Sequence, residues 1–577
     1  MVEDIYDPLE EYKNVFEPRF KEVCEQTLKE MADEVNIDLA ANRETCSNIY
    51  STEKDLSSIK KKRGWWKFLC WVLWITLVVG GLVLYNQWTS WELWLNIVIC
   101  VVLAGLACLL FIKVHPRLKA LKKQQTDTQS TIDNLKSEAW TQMDPLNRLY
   151  DWDMLARMMT RTVPRLEFDP YFTTQRLADL EKVYGWDGSF NEDRSVLYSH
   201  SGLINGNPFV LCRTRKMEWG EKTYHGSLTI YWTTYERSSD GSTRSVNHSE
   251  TLHASYTAPY PNYFEKTRLI YGNTAAPDLI FHRQQNGLAG KENSLRFKLN
   301  RRQLRKKSED LKNSDFAMLT NEEFEVAFDT RDRNNNHQHA LLFTPLAQHS
   351  MMSLLTDNSA GYGDDFDFNK EKMINVVIAN HMQEMNLDMN PQQFFHFDYD
   401  KAVENFHTIC ANHFRAIYFN LAPLLCIPMY QQIRPVSEIY GHDMPLNSSF
   451  WEHEALANFL GQDTFRHPDC VTDCIIKTEQ QRNSNNTSTI KVSANGYRSV
   501  EHTIYIEKYG GDGKVHQVPV VWYEYLPVCG TGTLLMAEDN NVDPNATNIE
   551  HANHISDVLQ QYHFDFYRRR IASKIMN

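Results

Sequence analysis

Glycine and proline are scarce, 24 and 20 among 577 residues, which excludes a collagen-like or low-complexity chain. Cysteine is sparse and unpatterned. The eleven thiols lack the dense spacing of a secreted disulfide framework and are expected to be free in a reducing compartment. Positive charge is in deficit, with 60 Lys and Arg against 73 Asp and Glu, and the net −13 argues against a nucleic-acid coat. A secretory signal is missing too: Met1 to Ile59 holds 6 basic and 15 acidic residues and no apolar core, so this N-terminus is expected to stay in the cytosol. Catalytic signatures are absent as well. His453-Glu454 begins a zincin-like pattern, but Ala457 stands where the second histidine is required, and Gly287, Gly290 and Lys291 fall short of Walker spacing. No cofactor is implied.

What is present begins with 42% hydrophobic and 12% aromatic residues, enough for folded cores. The mean hydropathy of −0.49 is a soluble-protein value that conceals two apolar runs. No charged residue occurs from Phe68 to Trp91 or from Leu93 to Ile112. Each run supplies roughly 18–20 apolar residues, long enough as a helix to cross a bilayer. In lipid every backbone group must be satisfied within the segment, so both are expected to be helical.

The flanks set the orientation. Lys60, Lys61, Lys62, Arg63 and Lys67 precede the first run; Lys113, Arg117, Lys119, Lys122 and Lys123 follow the second; the turn between has no Lys or Arg. By the positive-inside rule both termini are cytoplasmic, at the inner face of a cell membrane. Seven of the 14 tryptophans cluster here, and Trp65, Trp66, Lys67, Trp88, Trp91, Trp94 and Lys113 are the expected interface residues. A buried hairpin in a soluble core would explain neither the basic collars nor the tryptophans.

The remaining chain predicts an α+β fold: a two-helix transmembrane hairpin with a cytoplasmic helical stalk and two antiparallel β-rich α+β domains. The expected boundaries are an amphipathic helical segment (1–64), the hairpin (65–112), the stalk (113–150), a first α+β domain (151–380) and a second (381–577). Within the first, 207–219, 224–239 and 247–259 read as strands of a meander, turning at Asp240-Gly241, and 294–299 as a further strand. Asp144-Pro145 reads as the start of one helix running to Pro164. Both β-rich regions end in a Tyr and Pro cluster, YTAPYP (256–261) and WYEYLP (522–527), which raises an internal duplication.

The KKKRGWWKF collar, PLNRLYDWDM (145–154), the GLINGNPFVLCRT strand and EEFEVAF followed by ALLFTPLAQHSMMSLL resemble an uncharacterised family of bacterial membrane-hairpin proteins over roughly residues 60–380. The resemblance implies membrane anchoring with a cytosolic domain and no established activity.

Two constellations carry possible chemistry. His467, Cys470 and Cys474 are zinc-favoured residue types at H-x2-C-x3-C spacing, although three local ligands fall short of the four a structural site needs; the plainer reading is a loop histidine beside two structural thiols. Arg296, Lys298, Arg301, Arg302, Arg305, Lys306 and Lys307 place seven cations in twelve residues, interleaved with leucines. A solvated face or contact with a partner's acidic surface is the default reading; of the two sharper ones, anionic lipid headgroups are favoured over nucleic acid, since two spans already tie the chain to a membrane. The expected partners are the lipid bilayer, further copies of the chain and a cytosolic or membrane protein. These features lead to a membrane-anchored, cytosol-facing scaffold or assembly subunit; the alternative is a sensor module that binds a ligand or protein.

Overall fold

Two apolar runs bounded by polar flanks become two helices that continue well beyond them. The computed structural model describes residues 5–88, 91–237, 243–310, 315–432, 447–483, 487–543 and 546–576. Leu39–Gln87 is one helix of 49 residues and Leu93–Asn147 a second of 55, and both are long and apolar enough to cross a membrane. The protein itself buries only 6% and 11% of their apolar windows. Thr89 and Ser90 of the turn between them lie outside the described residues.

The polar ends of the two helices pack together. Cys46, Ile49 and Ala139 form a small core, Lys136 pairs with Glu53 at 2.7 Å, and Gln142 donates to Thr45 at 3.1 Å. Higher up, Leu73, Leu110 and Val114 gather Trp66, Leu69 and Leu118. At Gly80 a Cβ would stand 2.7 Å from a Leu103 methyl, so the glycine permits close approach of the two apolar helices. Pro145 lies inside the second helix, and Met154–Thr162 is separate. The single helix expected from Pro145 to Val163 is thus broken, at a last turn tightened by the Leu149 N–H to Leu146 C=O bond.

All strand pairings are antiparallel within two sheets. The first contains β1 (Leu166–Phe168), β2 (Arg194–Ile204), β3 (Asn207–Arg237), β4 (Thr243–Gly272), β5 (Ile280–Arg283), β6 (Phe366–Glu371) and β7 (Ile374–Ala379), in spatial order β1-β2-β3-β4-β7-β6-β5. The second contains β8 (Ile475–Arg482), β9 (Thr487–Tyr509), β10 (Val515–Glu538), β11 (Phe566–Arg568) and β12 (Ile571–Met576), in order β11-β12-β10-β9-β8.

The strands expected at 207–219 and 224–239 are one continuous β3. Gly220, Glu221 and Lys222, which resemble a turn, stay in register opposite Tyr260, Pro259 and Ala258. The Asp240-Gly241 turn lies outside the described residues. Residues 294–299 are helical, not a strand. Ser294 caps Leu295–Glu309 by accepting from the Phe297 N–H, and Phe297 and Leu304, seven apart, are both buried.

Beyond the pairing of β2 with β3, the β3–β4 hairpin continues from Met217 to Arg237 with no further strand paired to it among the described residues, roughly 70 Å at about 3.4 Å per residue. The β9–β10 hairpin projects likewise past β8, and the two hairpins pack through Tyr224, Ile230, Leu252, Ala258, Val518 and Val520. At Gly226 a Cβ would lie 2.0 Å from the Pro519 carbonyl oxygen, so only glycine fits there. The two Tyr and Pro clusters face each other in this arm: Tyr256 meets Trp522 and Tyr260 meets Tyr525, each with ring centroids 5.2 Å apart.

By contact the chain forms two units, one of residues 26–151 and 391–408, the other of 1–25, 152–390 and 409–577. The boundary read at 380/381 falls inside the second unit. There the helix Phe450–Phe459 serves both sheets: Trp451 and Ala455 pack with Val196, Val210 and Ile270, while Leu456 and Ala457 pack with Ile476, Ile490 and Leu534.

Candidate functional site

A helix with a sheet on each side must bury its polar residues along with its apolar ones, and each of those then needs a partner. Glu452, His453 and Glu454 are all buried. Glu454 accepts from Asn191, from the Val196 N–H at 3.0 Å and from Lys477 at 3.1 Å. Glu452 accepts from Ser199 at 3.0 Å, Arg568 at 3.1 Å and Arg569 at 2.8 Å. Arg568 also donates to Asp388 at 2.6 Å and Arg569 to the Ser199 carbonyl at 2.6 Å. Two carboxylates and two guanidinium groups thus neutralise one another in the interior.

The two arginines arrive on a tight turn. Arg568 pairs with Ile571 across the β11–β12 hairpin, leaving Arg569 and Arg570 as the two turn residues, at φ +43° and +58°. That backbone ordinarily selects Asn-Gly, so side-chain contacts hold this turn against its own preference. Arg568 lies over Phe459 and Arg569 over the Tyr198 ring, at 5.1 Å each.

Beside Arg569, Tyr198, His200, Asp388 and Trp152 line a cavity of about 30 Å3, room for a water or two. Burial, reinforced by the charge of Arg569, holds the His200 pKa well below its usual value. The imidazole is therefore neutral, donating from Nε2 to the Asp169 carbonyl at 3.1 Å and accepting at Nδ1 from Tyr198 at 3.3 Å. Burial pushes the Tyr198 hydroxyl up to about 12. Such a center locks the C-terminal hairpin, the Asp388 loop, β2 and the central helix to one another.

A second buried relay runs through His453. Ser448 donates to Glu538 at 2.5 Å and so accepts from His453 Nε2 at 2.8 Å. Burial, then the charge of Arg482, lowers the His453 pKa to about 4.

The residues singled out from sequence are placed as follows. Trp65, Trp88 and Trp94 are exposed on the apolar helices, as are Lys67 and Lys113, whereas Trp66 and Trp91 are half-buried. Cys470 and Cys474 face each other at 3.7 Å between sulfurs, and burial pushes Cys474 up to about 12. His467 instead accepts from the Asp469 N–H at 3.1 Å. Among the described residues no group of three or more His, Cys, Asp or Glu is placed to hold a metal ion.

The seven cations divide. Arg305 grips Glu322 with bonds of 2.7 and 2.6 Å, Arg301 lies 3.9 Å from the same carboxylate, and Lys307 donates to the Arg331 carbonyl at 2.6 Å. The side chains of Arg296, Lys298, Arg302 and Lys306 make no ion pair or hydrogen bond among the described residues.

The sequence reading missed Glu452 and weighed Glu454 only as part of a zincin-like pattern, because acidic residues on a short helix resemble a solvated face. A usable signal was the Arg568-Arg569-Arg570 run between two short β-leaning segments. A second cavity, of about 420 Å3, lies at the root of the two hairpins, lined by Met217, Tyr263, Asn495, Tyr497, Pro527 and Cys529.

No protein family, no curated protein and no solved structure matches this chain.

Proposed function

We propose that this chain is a membrane-anchored scaffold or assembly subunit, oligomeric and non-enzymatic, that holds its β-rich body on the cytosolic side of a cell membrane. The outer face of the β3–β4 hairpin carries this reading. From Thr223 to Tyr235 the outward residues are Thr, His, Ser, Thr, Tyr, Thr and Tyr, and opposite them, from Thr257 to Ser245, stand Thr, Ser, His, Thr, Ser, Asn and Ser. All are exposed and none is Asp, Glu, Lys or Arg. An ordinary surface is about 25–35% charged, so a face of this length would carry several charges. Hydroxyls pair across the strands, Thr223 with Thr257 and Thr229 with Thr251, at 3.0 Å each. Tyr231 and Tyr235, with Tyr505 and Tyr509 on the other hairpin, remain exposed. A flat face without charge suits packing against the same face of a second copy, where like charges would otherwise meet.

The exposed apolar helices with basic collars supply the anchor, and the collars favour cytosolic termini. The resemblance to bacterial membrane-hairpin proteins is in keeping with this. The test is the mass of the intact protein in nanodiscs at micromolar concentration. A defined oligomer that falls apart when Tyr231 and Tyr235 become Ser supports the reading, and a monomer ends it. A reporter fused to the C-terminus and found outside the cell ends the orientation.

The sensor reading draws on the cavity at the hairpin roots, whose volume is in the range of small-molecule sites. A thermal-shift screen of cytosolic metabolites tests it, and failure of all of them to stabilise the body counts against it.

A further inference from the structure

The helix Leu295–Glu309 has its rotation fixed by what it buries. Phe297 and Leu304 enter a core with Leu288, Phe316 and Val326. At 3.6 residues per turn, the positions that point directly away from that core are 295, 299, 302 and 306. They hold Leu295, Leu299, Arg302 and Lys306. The two leucines, one turn apart, are 80% and 61% exposed. A single exposed leucine needs no explanation, but two on one ridge, set among cations without partners, make the pattern of an interfacial helix.

We propose that this ridge is a second membrane contact, lying flat on an anionic phospholipid surface with Leu295 and Leu299 in the headgroup layer and Arg302 and Lys306 on lipid phosphates. Arg296 and Lys298 flank the ridge and add to its charge. The proposal rests on the membrane-anchored reading, since two spans in the same chain keep the body near a bilayer and make the contact intramolecular. Charge complementarity identifies the occupant. The unpaired cations ask for a polyanion, and the two leucines that begin the ridge ask for one with an apolar interior, which a nucleic-acid backbone lacks. The partners within the protein divide the work in keeping with this: Arg305, Arg301 and Lys307 fasten the helix to the body, while the outward cations are left free of protein contacts among the described residues.

The experiment is amide hydrogen exchange on the full chain in nanodiscs of phosphatidylcholine alone or mixed with phosphatidylglycerol. Exchange across 295–309 should slow in the anionic discs. Replacing Arg302 and Lys306 by Gln together should weaken the contact roughly 25-fold, at about fivefold per cation. Leu299→Ser, which keeps every charge, should weaken it as well. Unchanged exchange across Tyr399–Leu425 verifies that each variant is folded. Equal exchange in the two lipids overturns the proposal. So does equal slowing by heparin in neutral discs, which would make the ridge a general polyanion site. A chain that enters discs but ignores lipid charge removes only this contact, whereas one that never enters them removes the anchored reading with it.

Discussion

Two basic runs of this chain meet opposite fates. Arg568 and Arg569 are buried against Glu452 and Asp388, and each of their Nη groups has an acceptor. Arg302 and Lys306 stand on an exposed ridge with no protein partner among the described residues. Both are plain cationic clusters in the sequence. The difference lies in what surrounds them. A guanidinium removed from water must have its anion delivered by another part of the fold, here residues 116 and 180 positions away in the chain. On an exposed helix the solvent screens the charge, and the anion can come from another molecule.

The sharpest way to break the comparison is Glu452→Ala. It leaves two buried guanidinium groups facing a cavity, and breaking such a pair costs about 3–5 kcal/mol. Urea unfolding in detergent should show a loss of that size. If the loss stays below about 1 kcal/mol, the cluster is not the lock described above.

Gly226→Ala tests whether the paired hairpins are as tightly closed as the ionic core. Its Cβ would collide with the Pro519 carbonyl, so the arms must part, at a cost of about 1–3 kcal/mol. Increased proteolysis between Met217 and Arg237 would report the opening.

The two long apolar helices were the most legible feature, because an uncharged run of such length has few alternative structures in any fold. The long strands were legible and their lengths were not. Gly220 with its charged neighbours imitates a turn, and only pairing to Pro259 and Ala258 shows β3 continuing through it. The strand expected at 294–299 became a helix because Phe297 and Leu304 share a helical face, a period visible only over a window longer than six residues. Glu452 could not be read at all, since its meaning lies in partners supplied by distant segments, among them β2 and the β11–β12 hairpin. The zinc-favoured residues show the same limit: their spacing brings two thiols together and leaves His467 facing Asp469.

Acid should weaken the buried side of the comparison before it touches the carboxylates. His453 titrates at about 4 in the folded protein, against roughly 6.5 unfolded, so the unfolded chain takes up the proton first. Its contribution to stability is complete above about pH 6.5 and falls by about 1.4 kcal/mol per unit toward pH 4. His200, depressed by burial and Arg569, acts in the same direction. Melting temperature measured between pH 7 and pH 4.5 should fall steadily. A flat profile would mean that these imidazoles are reached by water.

The smallest effect belongs to the open side and is the more telling for that reason. Replacing Arg302 and Lys306 by Gln removes no protein contact, so stability in detergent should change by no more than about 0.5 kcal/mol. A loss comparable with that of Glu452→Ala would show the ridge bound to the body, and the two basic runs would then be alike. An unchanged melting temperature together with altered exchange in anionic discs would separate them completely: one run spends its charge inside the fold, the other holds it for a surface the fold does not contain.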